Sequence, residues 1–130
     1  MELIIKTPKK KVLVNITDKV MGIIKKNRKD GAYLLFVPHT TAGITINEAA
    51  DPDVAKDIVM GLDRIVSENA PYKHMEGNSP AHIKASMMGS SVFLVVKNQE
   101  PVLGTWQGIF FCEFDGPRSR KLRITFLGDY

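Results

Sequence analysis

The chain reads as an α+β domain: a mixed or antiparallel sheet with about three helices. Three observations predict this. Helical periodicity and short apolar runs alternate through the first ninety residues. The last third is rich in Val, Ile and Phe at strand-like length. Short, turn-rich connections separate those late runs, as antiparallel pairing requires. All 130 residues are assigned to one domain, because no linker, repeat or low-complexity stretch divides them.

Glu2 to Thr7 is a short strand ended by Pro8, and Val12 to Val14 is a second. Thr17 is expected as a helix N-cap with Asp18 in the first turn, and Ile16, Val20, Ile23 and Ile24 form one apolar stripe. That helix ends near Asn27, and Asp30-Gly31 makes a turn. Ala32 to Val37 is continuously apolar and suits a buried strand; Pro38 stops it. Ile44 to Ile46 alternates as a strand. Asp51-Pro52 supplies an N-cap with proline at the first helical position, opening a helix to about Ser67 that buries Val54, Ile58, Leu62 and Ile65 or Val66. Ser79-Pro80 opens a third helix to about Met88, with Gly89 as its C-terminal cap. Ser91–Lys97, Leu103–Glu113 and Leu122–Leu127 are the late strands, with turns at Lys97–Pro101 and Asp115–Pro117.

Composition excludes several functions. A hydrophobic fraction of 44% and a charged fraction of 25% are ordinary for a globular protein. A chain this long buries a core without staples, so a bound metal would serve function rather than folding. Cys112 is the sole cysteine and lies in an apolar run, which suits a buried thiol rather than a nucleophile. No run reaches the roughly 18 apolar residues of a membrane span. The first residues show no signal-peptide pattern, so a reducing, cytoplasmic location is expected. Net charge is +4, with basic clusters at Lys9–Lys11, Lys25–Lys29 and Arg118–Arg123. No zinc-finger spacing, aromatic stripe or helix-turn-helix accompanies them, so nucleic acid is not the expected partner.

The residues that carry chemistry lie in the turns. Pro38–Gly43 places His39, Thr40 and Thr41 between two strands, where functional groups are commonly displayed, and Gly43 permits close backbone approach. His74 and His82 are eight apart with Gly77 between them, so His74 falls on a loop and His82 in the first turn of the third helix. Three histidines can hold zinc and leave one coordination position open; three unrelated surface histidines are the other reading. In Gly104–Gly108, Trp106 reads as core or interface packing, and the Gln107 amide needs a hydrogen-bond partner. Glu48, Asp57, Glu76 and Glu113 are the notable carboxylates. Glu48 suits a general base or the orienter of a ligand histidine, whereas Asp57 reads as solvated. Lys84, Arg118 and Arg120 are candidates for holding a phosphate.

The stretches His39–Ala42, Ile44–Glu48, Asp51–Asp53, Tyr72–His74, Glu76–Asn78, Ala81–Lys84 and Leu103–Gly108 occur in one order. Together they resemble the YjbQ-like, or secondary thiamine-phosphate synthase, family nearly end to end. Asn78–Pro80 departs from that pattern without touching His82. The resemblance implies a compact homotrimer with histidine-lined pockets at subunit interfaces. It also implies weak thiamine-phosphate synthase activity, joining hydroxymethylpyrimidine diphosphate to a thiazole phosphate with release of diphosphate. Transferred residue by residue, it implies His39, His74 and His82 as metal or catalytic groups, with Glu48 and Gln107 beside them.

The expected function is therefore a metal-assisted enzyme acting on a phosphorylated small molecule. His39, His74 and His82 hold a zinc-type ion, and Glu48, His82 and Gln107 are catalytic. Thr40, Thr41, Lys84 and Arg118 bind substrate phosphate, with magnesium on a diphosphate substrate. The alternatives are a metal-dependent hydrolase and a module that binds a phosphorylated metabolite without turnover.

Overall fold

The computed structural model describes residues 1–129 and places eight strands and three helices among them. In chain order they are β1 (Glu2–Lys6), β2 (Val12–Asn15), α1 (Thr17–Asn27), β3 (Gly31–Phe36), β4 (Ala42–Glu48), α2 (Pro52–Ile65), α3 (Ser79–Met88), β5 (Ser91–Lys97), β6 (Glu100–Pro101), β7 (Gln107–Glu113) and β8 (Ser119–Gly128). The expected α+β class and three helices are present. The sheet is two sheets, both wholly antiparallel: β1-β8-β3-β5-β6 and β2-β7-β4.

The layers follow from side-chain alternation. Tyr33 and Leu35 of β3, Leu94 and Val96 of β5, and Leu122 and Ile124 of β8 face inward from the five-stranded sheet. They meet Ile44, Ile109 and Phe111 of the three-stranded sheet, and Val20, Met21 and Ile24 of α1 close this core. Each such side chain contributes on the order of 1.5–3 kcal/mol when fully buried. The opposite face of the three-stranded sheet presents Leu13, Phe110 and Cys112 to Leu62 of α2 and to Ala81 and Ala85 of α3. The result is sheet on sheet, with two helices on the second sheet. The outer face of the five-stranded sheet stays bare. Ile4, Phe36 and Phe93 lie on it, 49%, 38% and 68% exposed.

Several local expectations are corrected. Ala32–Val37 was expected as a buried run, but β3 alternates, because only one of its faces meets the core. Thr17 is the first helical residue rather than the N-cap, a position held by Ile16. The Thr17 hydroxyl donates to Asn15 Oδ1 at 2.7 Å and accepts the Ile109 N–H at 2.8 Å, pinning α1 to β7. In α2 the Asp51 carboxylate accepts the Asp53 N–H at 2.9 Å, as its sequence signals. Val66, not Ile65, fills the buried position after that helix; Ile65 is 70% exposed. The run Leu103–Glu113 forms a strand only from Gln107, because Gly104–Trp106 makes a turn whose Gly104 carbonyl accepts the Gln107 N–H.

Two contacts set α3 against β4. The Ile44 N–H donates to the Gly89 carbonyl at 3.1 Å. Gly43 lets the strand approach so closely that a Cβ there would stand 2.7 Å from the Gly89 oxygen. This approach holds the helix that carries His82 beside the strand that follows His39.

Candidate active site

All three histidines line one pocket of about 430 Å³. His39 reaches it from the segment between β3 and β4, His74 from the loop before α3, and His82 from the first turn of α3. The loop returns to the helix through Gly77 at φ +76°, a conformation glycine adopts without strain. The His74 and His82 rings stand edge to face, 5.2 Å between centres at 89°.

Each histidine has a distinct state. His39 Nε2 accepts the Lys121 N–H at 2.8 Å, so in the neutral ring the proton sits on Nδ1. Burial lowers the His39 pKa, and the Arg120 charge adds to that, which favours the neutral imidazole as an Nδ1–H donor. His74 is exposed and His82 half-buried.

Beneath the histidines lies a buried ion pair. Arg120 is 3% exposed and Glu113 fully buried. Arg120 Nε donates to Glu113 Oε1 at 2.8 Å and its Nη2 to Oε2, a bidentate arrangement. The Thr7 hydroxyl and the Asp115 N–H also donate to Glu113, at 2.7 and 3.1 Å. Burial pushes the Glu113 pKa up, but these hydrogen bonds and the guanidinium outweigh it and hold the carboxyl below its usual range. Arg120 Nη2 also donates to Thr41 Oγ1 at 2.8 Å, which leaves that hydroxyl its own proton and one lone pair. Arg118 stands at the pocket with its guanidinium 3.2 Å from Asp115. Asn78 Nδ2 donates to the same carboxylate at 3.0 Å, while Asn78 Oδ1 is buried without a hydrogen-bond partner among the described residues.

The pocket thus gathers His39, His74, His82, Thr40, Thr41 and Arg118. Three other expected residues stand elsewhere. Lys84 is two positions past His82, so it projects about 200° around the helix, away from the histidine. It is 1% exposed and paired with Asp63 and, at 3.5 Å, Glu68. Glu48 and Gln107 are register partners at the far end of β4 from His39, and seven extended residues carry them roughly 20 Å from the histidines. The Gln107 Oε1 accepts the Gly104 N–H at 2.8 Å, so the amide finds its partner in its own turn. Trp106, expected in core or interface packing, is 63% exposed in the single chain, which excludes the core. Cys112 is buried as expected, and burial pushes its thiol up to about 12.

Sequence reasoning missed Asn78 and Asp115 as lining residues, because Asp115 sits in a turn signal and Asn78, although it ends the Glu76–Asn78 stretch, carries neither charge nor metal-ligand chemistry that would single it out. It named Arg120 beside Arg118 but offered nothing to rank the buried one above the exposed one.

The residues fit the expected three-histidine zinc only in part. Two imidazoles on one tetrahedral zinc, at Zn–N of about 2.0–2.1 Å, put their ring centres roughly 5 Å apart, close to the His74–His82 spacing. His39 does not fit with them, because a zinc on Nδ1 would move its proton to Nε2, against the Lys121 N–H. As placed, no three of the described His, Cys, Asp and Glu residues converge on one point. For magnesium, Glu76 and Asp115 offer the oxygen donors that ion prefers.

The comparisons agree on kinship. The model of the family described as UPF0047 protein YjbQ-like matches residues 1–129. A UPF0047 protein of Methanocaldococcus jannaschii is 51% identical over 126 residues, spanning 96% of this chain and 91% of that protein. YugU of Bacillus subtilis, also a UPF0047 protein, is 48% identical over 126 residues, spanning 95% and 96%. A crystal structure of a YjbQ/UPF0047 family protein from Clostridium acetobutylicum superposes with a TM-score of 0.93 at 49% identity, covering 98% of this chain and 99% of that one. A conserved hypothetical protein from Thermus thermophilus gives 0.92 at 40% identity, covering 98% and 99%.

Replacing Arg120 by alanine leaves Glu113 buried and unpaired. The variant is expected to lose about 3–5 kcal/mol of unfolding free energy at neutral pH. Because the folded Glu113 pKa is depressed, its stabilisation is present above the ordinary carboxylate range and fades as pH falls through the folded value. Urea unfolding of Arg120→Ala and parent from pH 7 downward checks both points. Equal stabilities at pH 7 would refute the buried-pair argument.

Proposed function

The chain belongs to the UPF0047 YjbQ-like family, and from that premise and its pocket we propose an enzyme acting on a diphosphate-bearing small molecule chelated to a divalent cation. The observation that carries this is the mixed sign of the pocket. Arg118 and Arg120 each already face a carboxylate, Asp115 and Glu113. A bare phosphate therefore meets little uncompensated positive charge. A magnesium diphosphate presents both signs. Its phosphate oxygens suit His39 Nδ1–H, the Thr40 and Thr41 hydroxyls and the arginines. Glu76 and Asp115 would hold the cation, which supplies charge neutralisation for a departing diphosphate.

Transfer of hydroxymethylpyrimidine to a thiazole phosphate fits this arrangement as a reaction. The bond between the pyrimidine methylene and the diphosphate oxygen breaks, its electron pair leaving with the diphosphate. The thiazole nitrogen supplies the pair for the new C–N bond. No proton need move, so the protein's task is to bind, orient and stabilise the leaving charge.

Calorimetric titration with pyrophosphate tests the reading. Magnesium is expected to raise affinity by at least about tenfold, and Arg118→Ala or His82→Ala to lower it by a similar factor. Glu76→Gln is expected to remove only the magnesium-dependent gain. Production of thiamine phosphate from the two substrates should fall in His82→Ala. Pyrophosphate affinity indifferent to all three substitutions defeats the proposal.

The 5.2 Å separation of His74 and His82 favours a second reading, in which these two hold zinc and water completes the coordination. Zinc measured in protein purified without a histidine tag should then be lost in His74→Ala and His82→Ala but kept in His39→Ala. Zinc in none of the four proteins, after the ion is added back, ends this reading.

The bare face of the five-stranded sheet supports self-association, and the homotrimer implied by the family resemblance is proposed for it. Phe36 and Phe93 are large and exposed on one face of the β3–β5 pair, diagonal to each other because Phe36 pairs with Ser91 and Phe93 with Leu34. Phe36 also lies three residues before His39, so copies meeting there would stand beside the pocket. Sedimentation of the parent should give three copies, and Phe93→Glu should give one. A monomeric parent contradicts this.

A further inference from the structure

A second cleft, of about 400 Å³, lies between α2 and the β2–β7 edge of the three-stranded sheet. It shares no lining residue with the histidine pocket. Its volume is in the range of small-molecule sites. Leu13 and Phe110 form the floor, 7% and 5% exposed, and Ala55 and Val59 of α2 form one wall. The charged lining residues are Lys9, Lys11 and Lys56, and no carboxylate lines it. Lys11 is engaged with Asp63 at 2.8 Å. Lys9 and Lys56 make no ion pair among the described residues.

We propose that this cleft binds a small amphipathic anion: an acyl chain or aromatic ring ending in one carboxylate, phosphate or sulfonate head. The apolar floor removes the body from water, which is favourable in proportion to the apolar area buried. Lysine ammonium groups at the mouth, flexible and unspent, meet the head without being desolvated. A neutral apolar ligand leaves the two free lysines unused, and a polyanion has no polar floor to occupy. The chemistry therefore selects one charge on an apolar body. The site is independent of the diphosphate reading, since the two pockets share no lining residue.

The test uses 1-anilinonaphthalene-8-sulfonate with the whole chain. The dye is expected to bind at about one per chain with enhanced fluorescence. Ala55→Trp, which fills the cleft, should abolish that enhancement. Reversing the free charges with Lys9→Glu and Lys56→Glu, both at exposed positions, should weaken binding by at least about tenfold. Octanoate should displace the dye at concentrations where octanol does not. Pyrophosphate affinity should be the same in parent and variants. Enhancement that persists in Ala55→Trp overturns the proposal and assigns the dye to the bare sheet face instead. Equal displacement by octanol and octanoate, or a change under twofold on charge reversal, overturns it as well. If Ala55→Trp fails to fold, the two lysine variants and the octanol comparison decide alone.

Discussion

Glu113 and Arg120 meet where four parts of the chain converge, and the pocket is built on that meeting. Taking both charges out of water costs several kcal/mol each, and their attraction repays this only when the remaining hydrogen-bonding positions are filled. Here they are filled by Thr7 after β1, Thr41 before β4 and Asp115 after β7. The pair therefore fixes the ends of three segments at once. Thr41 sits two residues from His39, and Asp115 holds both Asn78 and Arg118. A change at the pair propagates to Thr41, Asp115, Asn78 and Arg118, and to His39 through the Arg120 charge, whereas Gly43 and Gly89 position the α3 histidine separately.

That division explains the different characters of the histidines. His39 is coupled to the buried pair through the Arg120 field and to β8 through Lys121, so its ring is fixed and biased to the neutral form. His74 and His82 stand on a loop and a helix turn, touch each other, and face solvent more freely. One fixed donor opposite two adaptable rings suits a ligand that is anchored at one end and reacts at the other.

Much of this was legible in the sequence where local chemistry decides structure. Asp51-Pro52 starts α2, Ser79-Pro80 starts α3, and the apolar spacing gives the stripe of α1, because caps and periodicity act within a few residues. The gathering of His39, His74 and His82 was legible only as a possibility raised by turn-rich surroundings and sharpened by family resemblance. Glu113 and Arg120 were not legible as a pair, since they lie on β7 and β8, strands of different sheets that must first pack together before residues seven apart can face each other. Lys84 misled because nearness to His82 in sequence is opposition on a helix. Glu48 and Gln107 misled for the complementary reason: a strand converts seven residues into about 20 Å.

The distance between Glu48 and the histidines bears directly on mechanism. A general base must come within about 3 Å of the proton it takes, directly or through one water. Within one chain Glu48 cannot do so for a ligand held at His39, and Glu76 is the exposed carboxylate that lines the histidine pocket. A reaction whose bond changes need no proton transfer is consistent with a site that has a fixed neutral imidazole and paired arginines but no buried, unpaired carboxylate. Displacement of diphosphate by a ring nitrogen is such a reaction. Hydrolysis is a poorer match, because it requires a group to activate water. Glu113, at the pocket floor, is already committed to Arg120 and Thr7, and Asp115 engages Arg118 and Asn78 through Oδ2, so that only its Oδ1 is open to a cation.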